Sequence, residues 1–105
     1  MEELQYDERV HVIIDVKLPS LIKYHVVEQA KRLLERSMHH YHNVGVQMHV
    51  KPDGPQIGCN LTLHTEDGKF HAHVIDWDVR KVVMDTVDSV ELQLQKHWSR
   101  VHVHA

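Results

Sequence analysis

Histidine is the side chain through which this sequence could do chemistry: it occurs twelve times in 105 residues. An unperturbed imidazole titrates near pH 6.5, so about a quarter of the twelve carry charge at pH 7 and about three quarters at pH 6. The 12 lysines and arginines face 15 acids, a formal net charge of −3 with histidine neutral. Histidine ionisation brings the net charge near zero at pH 7 and to roughly +6 at pH 6. Affinity for polyanions should therefore exceed what the formal charge suggests. The composition still falls short of a dedicated, strongly basic nucleic-acid binder.

The histidines fall into groups. Asp67-Gly68 is the strongest hairpin signal in the chain. A two-residue loop there would set Glu66 opposite Lys69, Thr65 opposite Phe70, His64 opposite His71 and Thr62 opposite His73. His64, His71 and His73 would then share one exposed face, with His11 available from another strand. Neighbouring strands can bring two ring nitrogens onto one metal ion, which makes these three the candidate metal ligands. The plainer reading is amphipathic spacers on a half-solvated sheet, with no metal and no cofactor. His39-His40-x-His42 follows a helix end, where a cation complements the dipole. His102-x-His104 lies in the tail, and both groups read as surface residues.

Other chemistry is thinly supplied. Cys59 is the single cysteine, which excludes an internal disulfide and a Cys-based zinc site. It falls on the apolar side of its run, where cysteine packs as a small hydrophobe. Asp15, Asp76, Asp78, Asp85 and Asp88 are scattered rather than paired. No Ser-His-Asp or Cys-His arrangement, P-loop or GxGxxG is present. The expectation is not an enzyme.

Cations are the better prospect. The first helix offers Lys31, Arg32 and Arg36. The second offers Arg80 and Lys81 in its first turn, then Lys96 and Arg100 at its end. Such residues neutralise phosphates and release counterions, giving salt-sensitive, sequence-independent affinity. Glu28, Glu35, Asp85, Asp88 and Glu91 lie among them, so a solvated mixed-charge face is an equal reading of the residues alone.

The elements that position these groups follow from periodicity. Residues 1–8 are polar and acidic, a loose lead-in. Val10, Val12, Ile14 and Val16 alternate with His11, Ile13, Asp15 and Lys17, a half-buried strand. Ser20 is placed to cap a helix whose apolar set is Ile22, Val26, Ala30, Leu33, Leu34, Ser37 and Met38. Val44, Val46, Met48 and Val50 mark a second strand. Pro52-Asp53-Gly54-Pro55 is a turn, and strands at 57–66 and 70–74 follow. A helix from about Asp78 to Ser99, capped by Asp78, has the stripe Val79, Val83, Val87, Val90 and Leu94, and residues 99–105 form a loose end. The order β-α-β-β-β-α predicts one α/β domain over residues 1–105. It is an α+β two-layer sandwich: a four-stranded mixed sheet with both helices on one face and the other face open. The first strand should lie parallel to the second if the two are adjacent. With 42% apolar and 26% charged residues, no apolar run long enough to span a bilayer and no apolar leader after Met1-Glu2-Glu3, the expected setting is cytoplasmic.

Gly68-Lys69-Phe70-His71-Ala72 and Val87-Asp88-Ser89-Val90-Glu91-Leu92-Gln93-Leu94-Gln95-Lys96-His97 resemble motifs of a known family. The first is similar to that family's glycine, leucine or phenylalanine, His-Ala hairpin end. The second is similar to its V-D-K-L-E-R-Q-L-R-K-H helix. The family is that of the ribosome hibernation-promoting factor and ribosome-associated inhibitor A, also called sigma-54 modulation proteins. The resemblance covers roughly residues 9–98 and is carried by 68–97. It implies a sandwich related in shape to double-stranded RNA-binding domains. It also implies binding to 16S-type RNA of the small ribosomal subunit, in the channel for messenger and transfer RNA, with translation blocked and idle ribosomes stabilised under stress in stationary phase. By resemblance Arg32 and Lys96 occupy basic family positions. Ser89, Leu92 and Gln95 stand where the family has Lys, Arg and Arg. Losing three phosphate contacts flattens the salt dependence by about three units. Ending at Ala105, the chain resembles the short forms, without the C-terminal dimerisation domain. The expected RNA-binding set is Lys31, Arg32, Arg36, Arg80, Lys81, Lys96 and Arg100. The alternative is a non-ribosomal interaction module of the same fold, or a homodimer, using the His-rich sheet face or the Leu92 side of the second helix.

Overall fold

A computed structural model describes residues 2–103, with side chains at 2–3 and 8–100. The elements run β1 (Glu2–Asp7), β2 (Val10–Ile14), α1 (Ser20–Ser37), β3 (Gly45–Asp53), β4 (Gln56–Thr65), β5 (Gly68–Asp76) and α2 (Val79–Val103). The sheet has five strands in the order β1-β2-β3-β4-β5. β2 and β3 are parallel and the other neighbours antiparallel. Parallel neighbours cannot be joined by a tight turn, and α1 supplies the crossover.

Alternation decides which way each strand faces. Val10, Val12 and Ile14 of β2, Val46, Met48 and Val50 of β3, Cys59, Leu61 and Leu63 of β4, and Ala72 of β5 are buried on one face. Val26, Ala30, Leu33 and Leu34 of α1 and Val79, Val82, Val83, Val87, Val90 and Leu94 of α2 close over that face as one core. Each fully buried Val or Leu contributes about 1.5–3 kcal/mol. Thr86 is also buried there, and its hydroxyl donates back to the Val82 carbonyl at 2.6 Å. Both helices thus lie on one side, and the face carrying His11, His49, His64, His71 and His73 is open.

Four expectations change besides the hairpin register. The sheet has five strands, not four, because residues 2–7 pair with β2 instead of forming a loose lead-in. α2 continues past Ser99 to Val103. Pro19, not Ser20, precedes the first turn of α1: its extended ψ of 153° aims its carbonyl at the Ile22 and Lys23 amides, 3.0 Å from each. Met38, assigned to the buried stripe, is exposed.

The hairpin register moves by two residues. Thr65 lies opposite Gly68, Leu63 opposite Phe70, Thr62 opposite His71 and Asn60 opposite His73. Either primed turn on Asp67-Gly68 needs positive φ at Asp67, and of the two residues only Gly68 has it, at 124°. The loop is instead Glu66-Asp67, stabilised by Thr65 Oγ1, which accepts from the Asp67 amide at 3.1 Å and donates to the Gly68 carbonyl at 3.0 Å. A shift of two keeps every side chain on its expected face, so the core is unaffected while cross-strand partners change.

Cys59 is wholly enclosed, and burial pushes its thiol up to about 11. The thiolate is the reactive form. Cys59 should therefore resist a colorimetric disulfide reagent at pH 8 in the folded chain and react stoichiometrically in denaturant. Rapid labelling without denaturant would show that the β4–α2 packing is wrong.

Candidate nucleic-acid interface

The two helices lie side by side and run the same way. His25 near the start of α1 feels the charges of Asp78 and Arg80 at the start of α2. Farther along, Arg36 Nη2 lies 2.5 Å from Glu91 Oε1. Beyond the end of α1 the His40 ring lies 4.0 Å from that of Trp98. This seam and its flanks form the surface opposite the open sheet face.

Charge is unevenly divided between the layers. Eight of the twelve lysines and arginines lie on α1 and α2 with five of the fifteen acids, leaving the helices three charges positive and the rest of the chain six negative. Among the described residues Arg32, Arg80, Lys96 and Arg100 have no acidic partner. Arg36 is held by Glu91 and Lys81 by Asp76, 3.1 Å away. That hydrogen bond raises the Lys81 ammonium and lowers the Asp76 carboxyl, which also accepts from the Trp77 and Asp78 amides. Lys31 is half-buried.

The seven expected cations do not make one patch. Arg32 and Arg80 stand on the two sides of the seam, each near enough for its charge to act on His25, with Arg36 farther along it. Lys96 and Arg100 lie on the other flank of α2 with Phe70, Gln93 and His97. Gln93 donates to the His71 carbonyl at 2.7 Å, tying α2 to β5. Between the flanks stand the acids Asp85 and Asp88 and the half-exposed Leu92. Ser89 and Gln95 offer no charge.

The three candidate metal ligands are separated. His64 Nε2 lies 3.3 Å from Gln47 Oε1, His71 Nδ1 2.9 Å from Thr62 Oγ1, and His73 Nδ1 2.6 Å from Asn60 Oδ1. The register sets His64 opposite Lys69, so the His64–His71 pair does not form. Among the described residues no group of three His, Cys, Asp or Glu is arranged to hold a metal ion. The His102-x-His104 pair lies outside the described side chains.

A polar node at the end of the seam was not expected from sequence. Trp98 Nε1 donates to Tyr41 Oη at 2.9 Å, Tyr41 Oη donates to Asp67 Oδ2 at 3.1 Å, and His97 Nε2 lies 3.0 Å from the same oxygen. Tyr41 is buried, and burial raises its phenol. Glu66 accepts from the His42 amide at 3.2 Å and the Asn43 amide at 2.5 Å, which lowers its carboxyl. The β4–β5 turn thus fixes both the exit of α1 and the last turns of α2. Asp67 in a turn was the only sequence signal, and turn chemistry alone explained it.

The environment of His25 shifts its imidazole down, through burial first and then the positive charges of Arg80 and Arg32. The folded chain consequently binds fewer protons at this site than the unfolded chain, whose imidazole titrates near 6.5. Its stability contribution is intact above that value and falls as the pH drops below it. His25→Gln should reduce the loss of thermal stability between pH 7.5 and 5.5. An unchanged loss would clear His25 of that role.

Neither the family models nor the curated proteins contain a match to this chain. Solved structures do. The Thermus thermophilus Protein Y N-terminal domain superposes with a TM-score of 0.64 at 16% identity, over 82% of this chain and 94% of that one. A ribosomal subunit interface protein from Coxiella burnetii superposes with a TM-score of 0.59 at 15% identity, over 84% and 97%. The likeness at these identities is one of architecture: this chain has the fold of the Protein Y N-terminal domain.

Proposed function

We propose that this chain is a ribosome-associated, non-enzymatic hibernation factor that lays its two-helix surface on small-subunit RNA and blocks translation by occupying the channel. One observation carries the reading: lysine and arginine are concentrated on the helices of a chain that is otherwise acidic. The fold supports it, since a ribosomal subunit interface protein shares it. Arg32, Arg36 and Arg80 would neutralise phosphates along the seam, and Lys96 and Arg100 a second stretch of backbone on the outer flank. Lys31 and Lys81 would add charge at the margins. Asp85 and Asp88 between the flanks would face a gap between phosphates. With Ser89, Leu92 and Gln95 in uncharged form, binding would be weaker and less salt-dependent than a fully basic α2 would allow.

A second reading rests on Leu92, 51% exposed on the outer side of α2. An apolar side chain there suits a protein contact, as in a homodimer or an interaction module. The open histidine face is the other surface for such a contact.

Arg32→Glu with Lys96→Glu should abolish cosedimentation with small subunits at low salt, and the unvaried chain should leave the particles in high salt. Undiminished cosedimentation of the double variant would reject the helix surface. A chain that stays in the supernatant and shows a concentration-dependent mass would favour the interaction module.

Protonation should strengthen the contact. Twelve histidines gain charge as the pH falls, so affinity for small-subunit RNA should be higher at pH 6 than at pH 7.5 at matched ionic strength. Equal affinities would remove histidine from the binding surface.

A further inference from the structure

The cleft where the C-terminal half of α1 meets α2 has features that phosphate binding does not use. It holds about 290 Å3. Leu33, Leu94 and Trp98 form its apolar walls, and Arg36, Ser37 and Glu91 its polar edge. Ser37 is 1% exposed, yet its hydroxyl has no hydrogen-bond partner. A buried hydroxyl is normally paired, so one lining an open cleft is available to an incoming polar edge. Trp98 is pinned by its bond to Tyr41. One face of its ring meets the exposed His40 at 32°, a contact that a better-matched planar group could replace.

We propose that this cleft takes a single unstacked guanine base from RNA. The inference rests on the RNA-binding reading above and names what that surface reads besides phosphate. Apolar walls and an indole suit a flat heteroaromatic ring, since base–aromatic stacking is available to every base. The polar edge narrows the choice. Guanine presents N1–H and N2–H donors beside its O6 and N7 acceptors. Glu91 supplies carboxylate acceptors next to the Arg36 guanidinium donors, and the Ser37 hydroxyl both donates and accepts. Adenine would turn its N1 acceptor toward the carboxylate. A base inside a duplex cannot enter, so the target is a loop, bulge or single strand.

The test uses the full chain carrying Trp77→Phe, which leaves Trp98 as its only tryptophan. The probes are uridine decamers with one central guanosine, adenosine or abasic site, titrated at one salt concentration with fluorescence and anisotropy read together. The guanosine decamer should bind about tenfold more tightly than the abasic one, as stacking of one base on an aromatic ring allows. It should also quench Trp98. Ser37→Val should erase that difference while leaving abasic affinity unchanged; Glu91→Gln should erase it as well while tightening both decamers by a similar factor, because it frees the Arg36 guanidinium. Equal affinity for guanosine and abasic decamers, without quenching, overturns the base site while the measured abasic binding leaves the phosphate reading standing. Absence of binding by any decamer overturns both. Adenosine binding as tightly as guanosine overturns the guanine assignment.

Discussion

Burial of one apolar sheet face beneath two helices is the constraint on which the rest of this molecule depends. Ten strand residues point their apolar side chains the same way, and α1 and α2 must both cover them. Once both helices lie on one side, their polar stripes form a single outer surface. The seam that sets Arg32 and Arg80 around His25 and Arg36 against Glu91 is a consequence of that burial. Charge then differentiates the two layers, since acids dominate the loops and strands and cations the helices. A protein with little net charge can in this way present a locally positive surface to a polyanion.

The helix pair is held in register by more than apolar contact. Asp67 receives Tyr41 Oη and lies against His97, and Tyr41 in turn receives the Trp98 indole. Glu66 accepts from the backbone that leaves α1. One two-residue turn therefore connects the α1 exit, the hairpin and the end of α2. The same node orients the indole that walls the seam's cleft. Trp98 joins the two, since its N–H serves this node while its ring lines the cleft between α1 and α2.

Much of this architecture was legible because burial has a period. Alternation in β2 to β5 and the valine stripe of α2 placed nearly the whole core, and Asp78 capped α2 as its position suggested, accepting from the Arg80 amide at 2.9 Å. β1 was hidden because Glu2–Asp7 is an edge strand with three acids among its six residues, and an edge strand can carry charge on its side chains while its backbone pairs. The hairpin register failed for a different reason: Asp67-Gly68 signals a primed turn, whereas the Thr65 hydroxyl stabilises a loop one residue earlier. That shift dissolved the histidine cluster. Six of the seven cations are exposed as expected and Lys31 is half-buried, but their division between the two flanks of α2 was not legible. It depends on which flank abuts α1 and which abuts β5, and helical periodicity alone cannot say.

Hydroxyl-radical footprinting of the chain, free and bound to small ribosomal subunits, tests the helix surface most directly. Met84 and Leu92 mark α2, and Ile75 and His73 mark the open sheet face, all of them solvent-accessible. Protection of Met84 and Leu92 with unchanged oxidation of Ile75 and His73 is the predicted result. Protection of the sheet-face pair, with the α2 pair still oxidised at the free rate, would contradict the account.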